Sequence, residues 1–359
     1  MRSTSRLRIS LQALAENYQV CSRASAADSV ASVVKADAYG LGALQIVQRL
    51  IQVGCRHFFV ATFAEGERLR EALNTHQELT IFVLEGLLDD YRHYLDLGLV
   101  PVLNTMQQVE RWQAAGAPCV IHVDTGMQRL GLSLGQARAL SELPGISISL
   151  LITHLANADE PDDGVNKEQR RHLLALKQHL ESSLRQNIPF SIGNSAGLFG
   201  QLEAESLGRL GIGLYGGNPF TNWDNPCQPV VALEAQIISL REIQAGAAVG
   251  YGGTFIAPQT MRIATVGAGY ADGIPRLLSN AGEVWLRDTR VPIVGRVSMD
   301  LLQIDVTAVA GVADGDWVEI FGSHISIDEV AKLADTISYE ILTGLGHRPN
   351  RIYLQEKLD

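Results

Sequence analysis

The sequence contains the apolar run ASVVKA at residues 31–36, followed by a series of similar short runs that are rich in β-branched residues. They are FFVAT (58–62), TIFVLE (80–85), VPVLN (100–104), CVIHVD (119–124), ISLLITH (148–154), FSIGN (190–194) and GRLGI (208–212). Longer amphipathic segments, such as ALQIVQRLIQVG (43–54) and EQRRHLLALKQHLESSLRQ (168–186), separate the runs. Apolar strands that alternate with helices are typical of parallel βαβ units, and a series of eight predicts a closed (β/α)8 TIM-type barrel.

The pattern changes after residue 226. Apolar and polar residues now alternate, with Gly, Asp and Pro between the segments PVVALEAQIISLREIQAG (229–246), GEVWLRD (282–288), RVPIVGRVSMDLLQIDV (290–306) and DWVEIF (316–321). This alternation predicts antiparallel β-sheet, ending in one helix over ISIDEVAKLADTI (325–337) and a tail. We place the boundary in the loop TNWDNPCQP (221–229). We therefore expect a barrel over residues 9–226 and a mainly antiparallel β domain over residues 227–359, which residues 1–8 join.

The composition is that of an ordinary globular protein, since 46% of the 359 residues are hydrophobic and 19% are charged. A net charge of −10 does not favour a nucleic-acid surface, which needs a basic patch. No stretch approaches the ~20 apolar residues of a membrane helix, and MRSTSRLRISLQALAENYQ (1–19) lacks the apolar centre of a signal peptide. We expect a cytoplasmic protein that binds neither nucleic acid nor membranes.

Residues that could ligate a metal are not spaced for one. The four cysteines, at positions 21, 55, 119 and 227, form no C-x-x-C pair, which indicates buried thiols in a reducing compartment. His154, in THLANAD (153–159), has no second ligand at helical or strand spacing. The sequence therefore predicts no metal site.

Polar residues lie at or near the carboxyl ends of several predicted barrel strands, where active sites of such barrels are found. They are Lys35, Asp124, His154, Asn194 and Arg209. Any one of them is most simply a strand cap, but together they predict a site. A lysine at the mouth of an apolar barrel has its pKa lowered by desolvation, which frees the amine for Schiff-base chemistry.

The segment GIGLYG (211–216) matches the glycine template of dinucleotide-binding folds. That fold requires a helix directly after the glycines, whereas GNPFTNWDNP (217–226) follows here. We reject the dinucleotide interpretation. Glycines with free backbone N–H groups after the last barrel strands can instead hold a single phosphate.

A set of motifs then resembles one family, the alanine racemases. The run VVKADAYGLG (33–42) resembles that family's cofactor-lysine motif. It is followed, in the family's order, by HVDTGMQRLG (122–131), THLANAD (153–159), NSAG (194–197), RLGIGLYG (209–216), VGYGGTF (249–255), VGAGYADGIPR (266–276) and VSMD (297–300). The resemblance spans nearly the whole chain.

The resemblance implies pyridoxal 5′-phosphate as the cofactor, bound covalently through the amine of Lys35. It also implies a set of groups that hold the phosphate: Tyr39, Ser195, the backbone of Gly211 and Ile212, and Tyr339. Arg209 would face the pyridine nitrogen, with His154 behind it. Because a guanidinium keeps its proton, Arg209 would leave the pyridine unprotonated and so suppress transamination.

The implied reaction is the interconversion of L- and D-alanine, which supplies D-alanine for the bacterial cell wall. Lys35 and Tyr251 would act as acid and base on opposite faces of Cα, because two bases avoid a single group that must swing across the substrate. Arg129 and the backbone N–H of Met299 would hold the substrate carboxylate, and Arg129 would also contact the cofactor's phenolic oxygen. Tyr270, Arg276 and Asp159 would form the entrance. Tyr251 would come from the partner subunit of a symmetric homodimer.

One position departs from the family pattern. His122 stands where many members carry a lysine whose carbamate orients the arginine that corresponds to Arg129. Histidine forms no stable carbamate, so either a bound anion or a direct contact from His122 would have to orient Arg129. The last segment, EILTGLGHRPNRIY (340–353), is only loosely similar to the family.

Other functions remain open at this point. A racemase of serine or another small amino acid is the nearest alternative, because Tyr339 limits the size of the side chain without separating alanine from serine. A decarboxylase of the same barrel class would carry a carboxylate where this chain has Arg209. A non-catalytic carrier of the cofactor would end with the barrel, whereas this chain continues into a domain that contains Tyr251.

Overall fold

A barrel of parallel strands forms the first half of the chain in the computed structural model, which describes residues 3–358 apart from 74–75, 77 and 201–203. Residues 1, 2 and 359 of the predicted β domain thus lie outside the described residues. Among those described, the barrel is an 8-stranded sheet. Its strands are Ser29–Val33, His57–Val60, Thr80–Val83, Leu99–Leu103, Cys119–His122, Ile148–Ile152, Phe190–Ser191 and Leu207–Leu210.

The barrel closes on itself. The strand Ser29–Val33 pairs in parallel with both His57–Val60 and Leu207–Leu210. Backbone hydrogen bonds join the remaining seam, from Ser206 N to Phe190 O (3.0 Å) and from Arg209 N to Gly193 O (2.9 Å). Buried side chains fill the interior: Ala31, Phe59, Phe82, Val102, Val120, Leu150, Ile152 and Leu207. The prediction of a (β/α)8 barrel is confirmed.

Helices surround the barrel and begin at polar caps. They are Leu11–Ala24, Ala43–Gln52, Phe63–Ala72, Tyr91–Asp96, Met106–Gln113, Leu134–Ala139, Gly164–Leu184 and Ser195–Phe199. The Ser10 hydroxyl accepts a hydrogen bond from Ala13 N (3.0 Å), which satisfies a helix-start N–H that would otherwise be unpaired. Thr62 and Glu65 form a reciprocal capping box at the start of Phe63–Ala72.

A second, mainly antiparallel sheet follows, as predicted. Its strands in the described residues are Ser5–Ser10, Val231–Ile243, Met261–Val266, Glu283–Leu286, Thr289–Pro292, Leu302–Asp305, Trp317–Phe321 and Asn350–Leu354. The long strand Val231–Ile243 is central, because it pairs with Ser5–Ser10, Met261–Val266 and Trp317–Phe321. A separate pair, Ala248–Val249 with Phe255–Ile256, flanks the loop that contains Tyr251.

The end of the chain differs from the prediction of one helix and a tail. The helix Ile327–Leu333 stops early, because Asp335 is left-handed (φ 51°), and a second helix spans Ser338–Thr343. The tail then forms the strand Asn350–Leu354, which pairs in parallel with Ser5–Ser10. A parallel pairing with residues at the other end of the chain leaves no local pattern, which is why the sequence did not indicate it.

The thiols are buried, as the cysteine spacing predicted. Cys21, Cys55, Cys119 and Cys227 are all free. Cys21 and Cys227 are neighbours across the barrel exit, with their Sγ atoms 3.8 Å apart. Across the described residues, the search for a helix with the length and apolarity to cross a membrane found none.

Candidate active site

A cavity of about 530 Å³ opens at the carboxyl ends of the barrel strands. It gathers one group of the residues singled out in the sequence: Lys35, Tyr39, His122, Arg129, His154, Asn194, Ser195, Arg209, Gly211, Ile212 and Tyr339. Asp124 is not among its lining residues. Its carboxylate instead accepts hydrogen bonds from the backbone N–H groups of Gly126, Met127 and Gln128, which shapes the loop leading to Arg129.

Lys35 begins a turn with an unusual backbone. Ala36, Asp37, Ala38 and Tyr39 all have positive φ, between 52° and 56°, and Gly40 follows at 83°. A left-handed conformation costs an L-residue roughly 1–2 kcal/mol, so neighbouring groups must hold this turn. It brings both Lys35 and the Tyr39 ring to the cavity.

The turn is held from two sides. The Glu65 carboxylate accepts hydrogen bonds from Ala36 N (2.9 Å) and Ala61 N (2.7 Å). From the C-terminal strand, Arg351 donates to Gly40 O through Nη2 (2.7 Å) and Nε (3.0 Å), and the Tyr353 hydroxyl donates to Leu41 O (2.8 Å). The sequence analysis missed Glu65, although the T-x-x-E capping pattern of Thr62 was there to find.

The environment of Lys35 favours its neutral amine. Burial lowers the pKa of Lys35, and the nearby Arg129 guanidinium lowers it further, against the opposing charge of Glu65. A neutral amine can act as a nucleophile or accept a proton at neutral pH. Lys35 therefore has the protonation state that Schiff-base chemistry requires.

Hydroxyl and backbone N–H groups form a cradle at one side of the cavity. The Ser195 hydroxyl accepts hydrogen bonds from Gly211 N (2.8 Å) and Gly213 N (3.3 Å), at the turn Ile212–Tyr215. A Cβ on Gly211 would lie 2.9 Å from the Tyr39 hydroxyl oxygen, so only glycine leaves this space open. The Tyr339 ring lies 6.0 Å from that of Tyr39. Such convergent donors suit a phosphate.

Arg209 is buried at the opposite wall. Its Nη2 donates to Thr153 O (2.6 Å) and Ile192 O (3.2 Å) and lies 3.4 Å from His154 Nδ1, while Nη1 bonds to the Ser191 hydroxyl. Burial lowers the pKa of Arg209 to about 10, so the guanidinium still carries its proton at neutral pH. Burial, together with the Arg209 charge, lowers the pKa of His154 to about 3, which keeps that ring neutral.

His122 has a fixed hydrogen-bond partner that the sequence analysis missed. Its Nδ1 lies 2.8 Å from Asn104 Oδ1. Asn104 is buried and donates through Nδ2 to Leu84 O (2.9 Å) and Val102 O (2.8 Å). Asn104 is the last residue of the predicted strand run VPVLN, so its position at a strand end was the available signal.

Another group of sequence-predicted residues lies outside this cavity. Tyr251, Tyr270, Arg276 and Met299 belong to the second domain and do not line it. Tyr251 is 73% exposed and Met299 is 53% exposed. The loops of Tyr270 and Met299 are joined by backbone hydrogen bonds, Tyr270 N to Ser298 O and Ala271 N to Met299 O, both 3.0 Å. These residues thus form part of a surface of the same domain.

Asp159 lies at the surface beside the barrel. Its carboxylate accepts a hydrogen bond from the Thr221 hydroxyl (2.9 Å), and its backbone oxygen accepts one from Thr221 N (3.2 Å). It does not line the cavity. Its charge acts on the Tyr339 hydroxyl, whose pKa burial raises to about 12.

Comparison with known proteins gives the same answer in sequence and in structure. Residues 9–219 match the family model of the alanine racemase N-terminal domain, and residues 230–353 match that of the C-terminal domain. A catabolic alanine racemase of Rhizobium johnstonii is 42% identical over 98% of this chain and 95% of its own length. An alanine racemase of Brucella abortus is 41% identical over 97% of this chain and 93% of its own.

Solved structures agree. The alanine racemase of Bartonella henselae, solved with covalently bound pyridoxal phosphate, superposes with a TM-score of 0.90 at 34% identity, covering 99% of this chain and 100% of the other. The biosynthetic alanine racemase of Pseudomonas aeruginosa superposes with a TM-score of 0.88 at 34% identity and the same coverage. The barrel, the antiparallel domain and the sequence matches together show that this chain belongs to the alanine racemase family.

Proposed function

We propose that this chain is a pyridoxal-phosphate-dependent racemase that interconverts L- and D-alanine and supplies D-alanine for the bacterial cell wall. One observation carries the proposal. The cavity at the barrel mouth combines a buried lysine of lowered pKa with a cradle of hydroxyl and backbone N–H groups and with a buried arginine. The family membership supports the same activity.

The cavity residues fit this cofactor. A phosphate dianion matches the donors around Ser195, Gly211 and Gly213, and the space beside Gly211 is one that a side chain would fill. Lys35 supplies the amine for the covalent bond. Lys35, Arg129 and Arg209 also make the cavity cationic, which suits the cofactor's phosphate and phenolic oxygen and a substrate carboxylate. A volume of about 530 Å³ lies in the usual range of small-molecule sites.

Pyridoxal phosphate, when bound to an amino acid, acidifies the Cα proton by delocalising the negative charge. The protein must then remove a proton from one face of Cα and return one to the other. The neutral amine of Lys35 is suited to accept the proton on its face. The Tyr251 hydroxyl would donate a proton to Cα on the opposite face, and the reverse reaction exchanges the two roles.

The arginines hold and orient without transferring protons. Arg209 retains its proton at a pKa of about 10, so it donates a hydrogen bond to a ring nitrogen but does not protonate it. Such a ring withdraws electrons weakly, which favours racemisation over transamination. Arg129 and the backbone N–H of Met299 would bind the substrate carboxylate.

The proposed enzyme is a homodimer with shared sites. Residues 9–226 would bind the cofactor, and residues 227–359 with residues 1–8 would bring Tyr251 and Met299 to the partner's barrel. The exposure of Tyr251 supports this arrangement, because a base of the two-face mechanism must be covered by another group when it works. Tyr270, Arg276 and Asp159 would then border the entrance.

The test is to incubate the purified protein with a panel of L-amino acids and to follow chirality. Alanine should lose its optical activity without release of carbon dioxide, and serine should react more slowly. Borohydride should fix the cofactor to the peptide that contains Lys35. Release of carbon dioxide, or fixation at another peptide, would contradict the proposal.

A further inference from the structure

The amide orientation of Asn104 determines which nitrogen of His122 carries a proton. Asn104 Nδ2 faces two carbonyl oxygens, Leu84 O at 2.9 Å and Val102 O at 2.8 Å, and can only donate to them. Its Oδ1 must therefore face His122 Nδ1, at 2.8 Å. Because Oδ1 has no proton to give, Nδ1 is the donor and carries the imidazole proton.

The Asn104 side is itself braced. Gln108, which is buried, accepts a hydrogen bond from Asn104 N (2.7 Å) through Oε1 and donates to Glu85 O (3.2 Å) through Nε2. Gly86 must be glycine here, because its φ is +85° and a Cβ would lie 2.3 Å from Gln108 Oε1. The position of Asn104, and with it the tautomer of His122, is thus fixed by several contacts.

The His122 ring is neutral in this environment. Burial lowers the pKa of His122 to about 4, and the charges of Arg209 and Arg129 act in the same direction, against Asp124. The neighbouring His154 ring, which is also neutral, adds no charge. A neutral imidazole with its proton on Nδ1 has an unprotonated Nε2, which can only accept a hydrogen bond.

The loop that contains Arg129 starts and closes at His122. Leu132 N donates to His122 O (2.8 Å), and Asp124 N donates to Leu132 O (2.9 Å). His122 and Arg129 line the same cavity. In the part of the chain that the structure describes, the Arg129 guanidinium forms no ion pair or hydrogen bond of its own.

We propose that Asn104 and His122 form a neutral hydrogen-bond relay, in which His122 Nε2 accepts a hydrogen bond from Arg129 and directs its guanidinium toward a carboxylate in the cavity. Both are positioning residues. An uncharged acceptor orients the cation without neutralising it, so Arg129 keeps its full charge for the ligand. The relay rests on the proposed function, because it assigns Arg129 to the substrate carboxylate.

The probe is propionate, which has the carboxylate and carbon chain of alanine but no amine. Its binding to the cofactor-loaded protein is measured by titration calorimetry. His122→Leu removes the acceptor and should weaken binding about tenfold, whereas His122→Gln provides an amide oxygen and should stay within about threefold of wild type. In the alanine reaction, His122→Leu should raise KM more than it lowers kcat.

A double-mutant cycle separates a relay from general damage. Asn104→Ala should weaken propionate binding, but in the His122→Leu background it should cause little further loss, because it acts through His122. His57→Leu is the matched control, since His57 is a partly buried barrel-strand histidine whose Nδ1 has no partner among the described residues. Asn166→Ala controls for the loss of an amide that donates to two carbonyls.

Two outcomes would overturn the relay. One is propionate binding that is unchanged in His122→Leu. The other is wild-type binding that requires chloride, measured in chloride and gluconate buffers, because a bound anion would then orient Arg129. If propionate binding follows the expected pattern while alanine is not racemised, the relay stands and the proposed function fails.

Discussion

The barrel mouth and the loop of Tyr251 are built in opposite ways. Around Lys35, Glu65, Arg351 and Tyr353 hold the backbone, and the cavity walls converge from many strands. Tyr251 is 73% exposed, in a short turn between glycines. One half of the proposed site is thus complete within a single chain, whereas the other half is presented on its surface. This difference teaches that the chain is organised for a site shared between two copies.

The largest expected effect tests that division directly. Lys35→Ala and Tyr251→Phe should each reduce racemisation at least ~10²-fold, because each removes an acid–base group. When the two variants are refolded together, one site of a mixed dimer inherits both changes and the other inherits neither. About half of randomly paired dimers are mixed, so roughly a quarter of wild-type activity should return.

The matched control mixes Lys35→Ala with Arg209→Ala, which both lie in the barrel. Every site then carries one change, and no activity should return. If the first mixture also stays inactive, Lys35 and Tyr251 serve one site within one chain, and the comparison between the two halves loses its meaning.

A change in the barrel half alone should alter the course of the reaction. Arg209→Glu replaces a buried proton-retaining cation by a carboxylate, which can keep a ring nitrogen protonated. We expect racemisation to slow about 10²-fold and some pyruvate to form by transamination. Pyruvate is measured with a coupled dehydrogenase. Arg287→Glu, on an exposed pair with Asp316, should change neither quantity. Normal turnover without pyruvate in Arg209→Glu would remove this role.

The buried histidines should make stability depend on pH. His122 and His154 have folded pKa values of about 4 and about 3, below that of an unfolded histidine at about 6.5. The unfolded state therefore binds more protons below pH ~6.5, and stability falls as the pH decreases from there, by up to about 1.4 kcal/mol per unit for each group. Urea unfolding between about pH 7 and pH 5 measures the slope.

His122→Gln should make that slope visibly shallower, whereas the exposed control His93→Gln should leave it unchanged. An equal slope in wild type and His122→Gln would mean that His122 is not held neutral. The same measurement sharpens the comparison, because it reports on the barrel half alone.

The smallest expected effect concerns the lysine turn. Glu65→Gln retains the shape but has one acceptor oxygen where the carboxylate uses two, so the free energy of unfolding should fall by about 1 kcal/mol. Racemisation should fall by a small factor, because Lys35 is less well placed. Glu71→Gln, exposed on the same helix, is the control. Unchanged stability in Glu65→Gln would show that the turn does not depend on this carboxylate.

The barrel and much of its cavity could be predicted from the sequence. Parallel strands bring their carboxyl ends together, so Lys35, His154 and Arg209 converge although they are far apart in the chain. The same rule failed for Asp124, because a carboxylate one residue before a tight loop is taken up by backbone N–H groups. Strand order predicts where a side chain starts, and local hydrogen bonds decide where it points.

Other features had no local signal. The left-handed residues Ala36 to Tyr39 contradict ordinary preferences, and only contacts from Glu65 and Arg351 make them stable. Asn104 looked like the polar end of one more strand. Its importance depends on the neighbouring strand, which places His122 beside it. Tertiary contacts of this kind override propensity and are not written in any short window.

The clamp on the lysine turn has a consequence for the order of synthesis. A ribosome makes the turn at residues 36–40 early, but Arg351 and Tyr353, which fasten it, emerge among the last residues. The strand Ser5–Ser10 waits for the same segment, since Arg6 pairs with Asn350. A nascent chain can form much of the barrel on the ribosome, yet its lysine is secured only at release. A message truncated shortly before codon 350 would thus yield a nearly full-length product without a finished site.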